Sequence, residues 1–262
     1  MGARAIWKAH VCFGPVDVPV RMYSAVQDRA VHFRLLDEKR LEPIKQHMVD
    51  PDTGKVVDKD DIRRAFLTDE GELVVLDDEE LAAAVPEPSR EIQVTRFVPP
   101  QTITHQCYDR PYYLGPDEQD EAYFALAAAL RKRNVEGVAH WTMRSKEYVG
   151  ALRAEGDYLM LITLRRAGEV VPASALPAPA GRALDDREIA MARQLVAAME
   201  DPFDIAAYHD EYRERVLEYV QAKSAGKVVK FPRAPRKQTE TSLADVLQAS
   251  LAASGGKERK RA

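Results

Sequence analysis

Short apolar alternations, each bounded by a turn, constrain the fold of this chain more than any other feature of its sequence. Residues 7–13 alternate apolar and polar side chains, and after Gly14-Pro15 the alternation resumes over residues 16–22. Successive side chains of a strand point to opposite faces of its sheet, so the pattern predicts two half-buried strands joined by a tight turn. A third run with the same period of two covers residues 31–35, which predicts a further strand.

More strand patterns follow, separated by glycine and proline, over residues 92–98, 111–114, 138–144 and 158–164. One amphipathic helix interrupts them at about residues 121–133, with Phe124, Ala127 and Leu130 on one face. Many short strands at close spacing are typical of a β-barrel or a sandwich. The predicted fold class is therefore mixed and mainly β.

Between Leu36 and Asp77 the chain becomes polar and rich in turn residues, which predicts an extended excursion rather than part of the core. Residues 50–54 read as a plain turn within it. The acidic cluster at residues 77–80 precedes an alanine- and leucine-rich run. Acidic residues are favoured in the first turn of a helix, so we interpret the cluster as a helix start and not as a magnesium site.

A proline- and alanine-rich linker at residues 172–181 precedes a helical part of the chain. Apolar residues recur at helical spacing from Ile189 to Met199 and again from Tyr208 to Tyr219, and Asp185 or Asp186 can cap the first helix. The predicted domains are a β-rich core over residues 1–180, a helical arm over residues 181–223 and a flexible basic tail over residues 224–262.

The tail is opposite in charge to the rest of the chain. Residues 223–262 hold ten Lys and Arg against three Asp and Glu, so their net charge of +7 contrasts with −11 for the first 222 residues and −4 overall. A basic segment of this kind is suited to polyanions, which makes nucleic-acid contact a hypothesis. Besides Lys223, these basic residues are Lys227, Lys230, Arg233, Arg236, Lys237, Lys257, Arg259, Lys260 and Arg261, and these nine are the candidate contacts.

Between the two basic parts of the tail lies a short amphipathic stretch that opens with the capping-box pattern of residues 242–245. Its apolar face consists of Leu243, Val246, Leu247 and Leu251. Helices of this length are marginal in water, so the stretch must pack on something, and its position favours a partner protein.

The sequence gives little support to metal, disulfide or membrane chemistry. Cys12 and Cys107 are far apart and read as buried small hydrophobes, and His105 with Cys107 makes only a weak case for a metal site because no third ligand is near. Glycine-rich phosphate loops and common hydrolase signatures are absent. We predict no cofactor or metal. With no apolar run of membrane-spanning length and no secretion signal, the default expectation is a cytoplasmic location.

Basic residues in the first 222 residues are the remaining candidates for nucleic-acid contact. Taken alone, each is better explained by a solvated surface with nearby acids; the alternative is that they converge on one face that neutralises phosphates. The candidates are Arg21, Arg34, Lys45, Arg63, Arg64, Arg144 and Lys146.

Several segments, taken in order, resemble a known family. The opening IWKAHVCFGPVDVPVRMYSAV, then ELVVLDDEELAAAVPEPSREIQVTRFV, YDRPYYLGP, TMRSKEYVGALR and finally DPFDIAAYHDEYRERVLEYVQAK resemble blocks of the bacterial Ku proteins. The resemblance spans about residues 4–223. Two departures are the absence of a Cys-x-x-Cys pair in the segment HMVDPDTGKVV, which puts a metal-supported loop in doubt, and Pro15 in place of the usual leucine.

This resemblance implies a homodimer whose β-barrels and long arms form a ring around a double-stranded DNA end. It further implies a role in non-homologous end joining, with recruitment of a multifunctional ATP-dependent DNA ligase and a nucleoid location when bound to DNA. On this view the excursion of residues 36–77 forms the ring and carries Lys45, Arg63 and Arg64, while Arg144 and Lys146 are further contacts. The basic tail then becomes an accessory contact.

Two other classes of function remain open from the sequence. Abundant carboxylates leave room for a metal-dependent DNA-processing enzyme, and the amphipathic stretch of the tail leaves room for a protein adaptor that needs no DNA. Loss of a labelled DNA end in the presence of magnesium or manganese separates the first of these from end binding without catalysis.

Overall fold

The computed structural model describes residues 4–118, 120–181 and 185–226, and the chain divides into two compact units. The first comprises Met1–Arg29 and Phe33–Ala175, and the second comprises Ala30–His32 and Leu176–Ala262. The domain limits predicted at residues 180 and 223 stay predictions. Of the predicted tail, all but residues 224–226 lies outside the described residues.

Nine strands are formed by the described residues, all of them in the first unit. They are β1 (Trp7–Phe13), β2 (Val16–Ser24), β3 (Arg64–Leu67), β4 (Leu73–Leu76), β5 (Glu91–Val98), β6 (Tyr108–Pro116), β7 (Glu136–Met143), β8 (Lys146–Glu155) and β9 (Tyr158–Leu164).

Seven of these strands close into a barrel in the order β1-β2-β6-β9-β8-β7-β5. All neighbours are antiparallel except β1 and β5, which run parallel and pair His10 with Glu91 and Cys12 with Gln93. The predicted mainly β fold with a barrel is therefore confirmed. The tight turn at Gly14-Pro15 is also confirmed, since Phe13 pairs with Val16 across it.

Along the strands of the barrel, alternate side chains point inward, and these inward side chains form the core. Ala9 pairs with Val20 and Val11 with Val18, and all four are at most 2 % exposed. Further fully buried side chains from β2 and from the other strands complete the core: Met22, Ile92, Leu114, Ala139, Leu152, Leu159 and Leu161. Burial of this continuous apolar surface is the main stabilising contribution to such a fold.

The strand connections divide between the two ends of the barrel. The β1–β2 and β8–β9 turns and the connection from β6 to β7 lie at one end, because antiparallel neighbours reverse direction at each connection. The β7–β8 turn, the departure of the chain at Ser24 and its return at Glu91 lie at the other end. The long excursion and the β7–β8 turn therefore share one end of the barrel.

Two helices belong to the first unit, α1 (Asp78–Ala83) and α2 (Asp120–Arg133). The predicted helix start at the acidic cluster is confirmed, with the Asp77 amide donating to Glu80 Oε2 (3.0 Å). Helix α2 packs on β2 and β8 through Tyr123, Leu126, Ala127 and Leu130. Phe124, which the sequence groups with Ala127 and Leu130 on one face, is half exposed, whereas Ala127 and Leu130 are buried.

The side chain of Tyr123 joins α2 to two strands of the barrel. Its hydroxyl donates to the carbonyl of Leu114 (2.5 Å) in β6 and accepts from the amide of Leu159 (2.8 Å) in β9. Leu114 and Leu159 are register partners, and Tyr123 is fully buried. The hydroxyl therefore bridges the backbones of two neighbouring strands where water has no access.

None of residues 25–90 is buried, so the prediction of an excursion outside the core is confirmed. We call residues 33–88 the arm. The prediction of a strand at residues 31–35 is wrong: these residues are irregular, and Phe33 and Leu35 are 65 % and 60 % exposed. Residues 50–54 form the predicted turn, in which Asp50 Oδ1 accepts from the amides of Asp52 and Thr53.

In the second unit, α3 (Asp186–Ala198) and α4 (Glu211–Ser224) match the predicted helical part. Asp185 caps α3 by accepting from the amide of Glu188 (2.8 Å). Tyr208 precedes α4 and is not part of that helix, so the second predicted stripe is shorter than the sequence pattern indicated.

Candidate functional site

Charge divides the arm into two unlike parts. Residues 33–64 carry eight Lys and Arg and eight Asp and Glu, whereas residues 65–88 carry eight acidic residues and no Lys or Arg. The second part includes the helix α1 and the hairpin formed by β3 and β4, except for Arg64, the first residue of β3. Because phosphates are repelled by an acidic surface, any phosphate contact made by the arm falls to residues 33–64.

The structure brings Arg34 and Lys45 to neighbouring positions in this first part. Leu36 forms an isolated antiparallel bridge with Pro43, and the amide of Ile44 donates to the carbonyl of Leu35 (3.1 Å). Arg34 comes directly before Leu35 and Lys45 comes directly after Ile44, so both residues lie next to this short antiparallel pairing. Both are exposed, and neither forms an ion pair with any described residue. Two cations eleven residues apart in sequence are thus placed side by side.

Arg63 and Arg64 lie at the start of the β3–β4 hairpin. The guanidinium of Arg63 donates to the carbonyls of Asp60 (2.6 Å) and Ile62 (3.2 Å), which holds it against the backbone. Arg64 is 72 % exposed and approaches Asp78 Oδ1 only at 3.7 Å. Such a loose surface pair neutralises little of the charge in water.

Arg21 has an intramolecular role on the outer face of the barrel. It lies opposite Lys8 in the β1–β2 register, and both cations contact the carboxylate of Asp117, Arg21 at 2.5 Å and Lys8 at 3.0 Å. Hydrogen bonds from Arg21 and Lys8 lower the pKa of Asp117. One buried carboxylate thus holds two cations that would otherwise repel each other.

Arg144 and Lys146 lie in and beside the β7–β8 turn. Strand β7 ends at Met143, one residue before the predicted limit, so Arg144 is a turn residue and Lys146 begins β8. Arg144 and Ser145 have φ angles of 51° and 61°. Two positive φ values identify a tight hairpin turn in which Asn and Gly are the favoured residues.

A polar cluster lies on the outer face of the barrel, under the connection between β5 and β6. Glu136 is only 1 % exposed, its Oε2 accepts from the Tyr108 hydroxyl (2.6 Å), and Arg153 Nη1 lies 3.4 Å from its Oε1. Burial and the hydrogen bond to Glu136 raise the pKa of Tyr108. This connection also carries His105 and Cys107 in one short 3-10 turn.

The description of both cysteines as buried is wrong, because Cys12 and Cys107 are each partly exposed. Within the part of the chain that the structure describes, no group of three or more His, Cys, Asp or Glu side chains is arranged to hold a metal ion. No helix among those residues is long and apolar enough to cross a bilayer.

A family model described as the Ku70/Ku80 beta-barrel domain matches residues 12–191, which include most of the barrel and the whole arm. The chain belongs to the Ku family. Curated relatives support this over nearly the full length. The chain is 32 % identical over 254 residues to "Non-homologous end joining protein Ku" of Coxiella burnetii, which covers 95 % of this chain and 93 % of that protein.

Two mycobacterial Ku proteins are similar to a comparable degree. The protein of the same name from Mycolicibacterium smegmatis is 35 % identical over 228 residues, or 85 % of this chain and 72 % of that protein. The one from Mycobacterium tuberculosis is 33 % identical over 228 residues, or 85 % of this chain and 84 % of that protein. Membership of the Ku family therefore rests on both the barrel and the arm.

Two features of the candidate site were not predicted from the sequence. The partner of Arg21 was missed, although a hairpin centred on Gly14-Pro15 places Lys8 opposite Arg21 and so calls for a nearby acid. Arg90, which precedes β5 and is exposed, was also missed. The predicted contacts of the tail, from Lys227 to Arg261, and the apolar face that begins at Leu243 lie outside the described residues.

Proposed function

We propose that this Ku chain forms a homodimer whose arms close a ring around a double-stranded DNA end, and that it acts in non-homologous end joining. The observation that carries the proposal is family membership over barrel and arm together with relatives named for that process. The proposed role is binding without sequence preference, and no catalytic step is assigned to the chain.

The exposed apolar residues of the arm support a second copy as its partner. Phe66, Leu67, Leu73 and Val75 of the β3–β4 hairpin are 57–70 % exposed, and this sheet has only two strands. An isolated two-stranded hairpin is marginally stable in water, and large exposed apolar patches mark interaction sites. Two identical chains close such a contact through a two-fold axis, which buries the same surface on both.

Distribution of charge supports DNA contact through the first part of the arm and the adjacent end of the barrel. Arg34, Lys45 and Arg64 are exposed there, and Arg144 and Lys146 lie at the end of the barrel from which the arm leaves. Contacts from Lys and Arg to phosphates do not read base sequence, and they release counterions. Arg21 is the weakest of the predicted contacts because Asp117 already binds its guanidinium.

The first test compares binding to linear and to circular DNA. A ring requires an end for entry, so linear duplex should compete for binding far better than covalently closed circles of equal length in a band-shift assay. Equal competition by circles would contradict the ring. Binding to linear duplex should weaken steeply with salt and should not depend on sequence.

Charge reversal tests the arm at the level of residues. The double variant Arg63→Glu and Arg64→Glu should weaken binding to all duplex ends and flatten the plot of log Kd against log salt by about one unit per lost phosphate contact. The matched control, Arg131→Glu with Lys132→Glu, makes the same charge change on α2 at the opposite end of the barrel. If both variants weaken binding equally, the arm is not the contact and only net charge matters.

Oligomeric state is tested separately. Phe66→Ser removes a large apolar side chain from the hairpin and should shift the protein from dimer to monomer in analytical ultracentrifugation. Phe124→Ser, at a half-exposed aromatic residue of α2, is the matched control and should remain dimeric. A dimeric Phe66→Ser variant would move the interface away from the hairpin.

Recruitment of an ATP-dependent DNA ligase is proposed for the tail, on the basis of its amphipathic sequence at Leu243, Val246, Leu247 and Leu251. Deleting residues 239–262 should leave loading on DNA ends intact and abolish stimulation of the ligase. Loss of loading in the same deletion would instead make the tail part of the DNA-binding surface.

A further inference from the structure

A small polar cleft lies at the end of the barrel from which the arm leaves. It encloses about 230 Å³ and is lined by Trp7, by Pro88, Ser89 and Arg90, and by Thr142, Met143, Arg144 and Ser145. Because β5 is the neighbour of both β1 and β7, these segments meet at that end of the barrel. We call this site the Arg144 cleft.

Two arginines without acidic partners line the Arg144 cleft. Neither Arg90 nor Arg144 pairs with an acid among the residues that the structure describes, and both are exposed. By contrast, Arg165 lies 2.9 Å from Asp109 and Arg166 lies 3.7 Å from Glu147 at the same end of the barrel. Two uncompensated guanidinium groups at one small cleft repel each other and attract an anion.

Hydroxyl groups supply further donors. Ser89 Oγ accepts from the amide of Glu91 (3.0 Å), which leaves its own proton available to a ligand. Ser145 and Thr142 add two more hydroxyls to the lining. The Glu91 side chain belongs to a neighbouring groove with Gln93 and His140, so no carboxylate lines the Arg144 cleft.

Backbone strain accompanies these side chains. Arg144 and Ser145 occupy the left-handed region, which costs about 1–2 kcal/mol for a residue that bears a side chain. Asn-Gly would relieve this cost in a hairpin turn. An arginine and a serine held there despite the cost are consistent with a binding role for their side chains.

The donors in the cleft match one class of ligand. Guanidinium groups bind phosphate through paired hydrogen bonds, and hydroxyls add to such contacts. Trp7, which is partly buried against the barrel core, also lines the cleft, and its indole is the aromatic group there against which a base or a sugar can pack. We propose that the Arg144 cleft binds a phosphate group of a nucleic-acid strand, with the adjoining nucleoside against Trp7. This subsite rests on the proposed function and extends it to Arg90, Ser89 and Trp7.

Intrinsic fluorescence provides the test, because the chain has only two tryptophans and Trp141 is 4 % exposed inside the barrel. The full chain is titrated with dithymidine monophosphate, with the same dinucleotide carrying a 5′-phosphate, and with thymidine. The 5′-phosphorylated dinucleotide should change the emission, and a Trp7→Phe variant should lose the response. A response to the 5′-phosphorylated probe alone identifies a terminal phosphate as the ligand, whereas equal responses identify a backbone phosphate. Thymidine acting as strongly as the dinucleotides would overturn the proposal.

Variants test whether the dinucleotide binds at the Arg144 cleft, and they distinguish this binding from the proposed ring around duplex DNA. The double variant Arg90→Gln and Arg144→Gln should raise the Kd for the dinucleotide at least tenfold, whereas Arg166→Gln, at a paired arginine of the neighbouring groove, should leave it unchanged. An unchanged Kd in the double variant would refute the cleft. Binding of duplex ends is measured on the same proteins. If the wild type fails to bind duplex ends, the proposed function fails, whatever the dinucleotides do.

Discussion

Replacing Tyr123 with phenylalanine should destabilise the barrel far more than the loss of one hydroxyl suggests. This hydroxyl satisfies two buried backbone groups at once, the Leu114 carbonyl at 2.5 Å and the Leu159 amide at 2.8 Å. Leaving a buried donor or acceptor unsatisfied costs about 1–3 kcal/mol, so the two together should lower the free energy of unfolding by about 2–6 kcal/mol. In a chain of this size, each kcal/mol lowers Tm by about 2–4 °C.

Urea unfolding followed by circular dichroism measures this loss of stability. The comparison is valid if the variant and the wild type have the same m-value. Tyr158→Phe is the matched control, since Tyr158 is 56 % exposed and should lose less than about 0.5 kcal/mol. Amide exchange supplies a local readout, because the Leu159 amide should exchange faster in Tyr123→Phe. A loss no larger than that of the control, or a Leu159 amide as protected as in the wild type, would refute the argument.

The pH dependence of the same residue has a definite sign. Burial raises the pKa of Tyr123 in the folded chain, whereas an unfolded tyrosine ionises near pH 10. Its contribution to stability is therefore complete below about pH 10 and is lost as the pH rises further, because the unfolded chain releases the proton first. The Phe variant lacks this contribution and should have a flatter alkaline limb in its stability profile.

Three more variants test other parts of the barrel. Tyr108→Phe leaves the buried carboxylate of Glu136 without its 2.6 Å donor and should cost about 1.5–3 kcal/mol in urea unfolding. Cationic partners lower the pKa of Asp117, so the stability difference between wild type and Asp117→Asn should be largest above about pH 4 and should shrink as the pH falls below that value. Replacing Arg144 and Ser145 with Asn and Gly should raise stability by about 1–2 kcal/mol and weaken dinucleotide binding. An unstabilised or fully binding Asn-Gly variant would contradict that last expectation.

The barrel could be predicted where each strand has one buried and one solvated face. Strands β1 and β2 satisfy that condition, and the alternation of their residues predicted both strands and the tight turn that joins them. Strand β8 was missed because Gly150, Ala151 and Leu152 are all buried, so no alternation marks it. The prediction for residues 31–35 failed for the opposite reason: they alternate, but beyond the hydrogen bond between Leu35 and Ile44 no strand of the described residues pairs with them.

The candidate site could be predicted only in part from the sequence, for a related reason. A list of cations does not say which ones have partners, since partners come from distant segments. Arg21 and Asp117 are 96 residues apart, and their contact depends on the pairing of β2 with β6. Likewise, the Arg144 cleft combines residues near positions 7, 90 and 144, and only closure of the barrel between β1 and β5 brings them to one place.

The closure of the barrel between β1 and β5 also affects how the protein folds and how the arm can change during evolution. Strands β1 and β5 pair across a chain segment in which the 66 residues from 25 to 90 contribute nothing to the core. Loop-closure entropy grows only slowly with length, by about 0.6 kcal/mol for each doubling. Pairing across such a long loop is a slow step, which delays completion of the barrel during folding. The weak dependence on length also means that insertions or deletions within the arm change the stability of the barrel little, so the two can diverge in evolution at different rates.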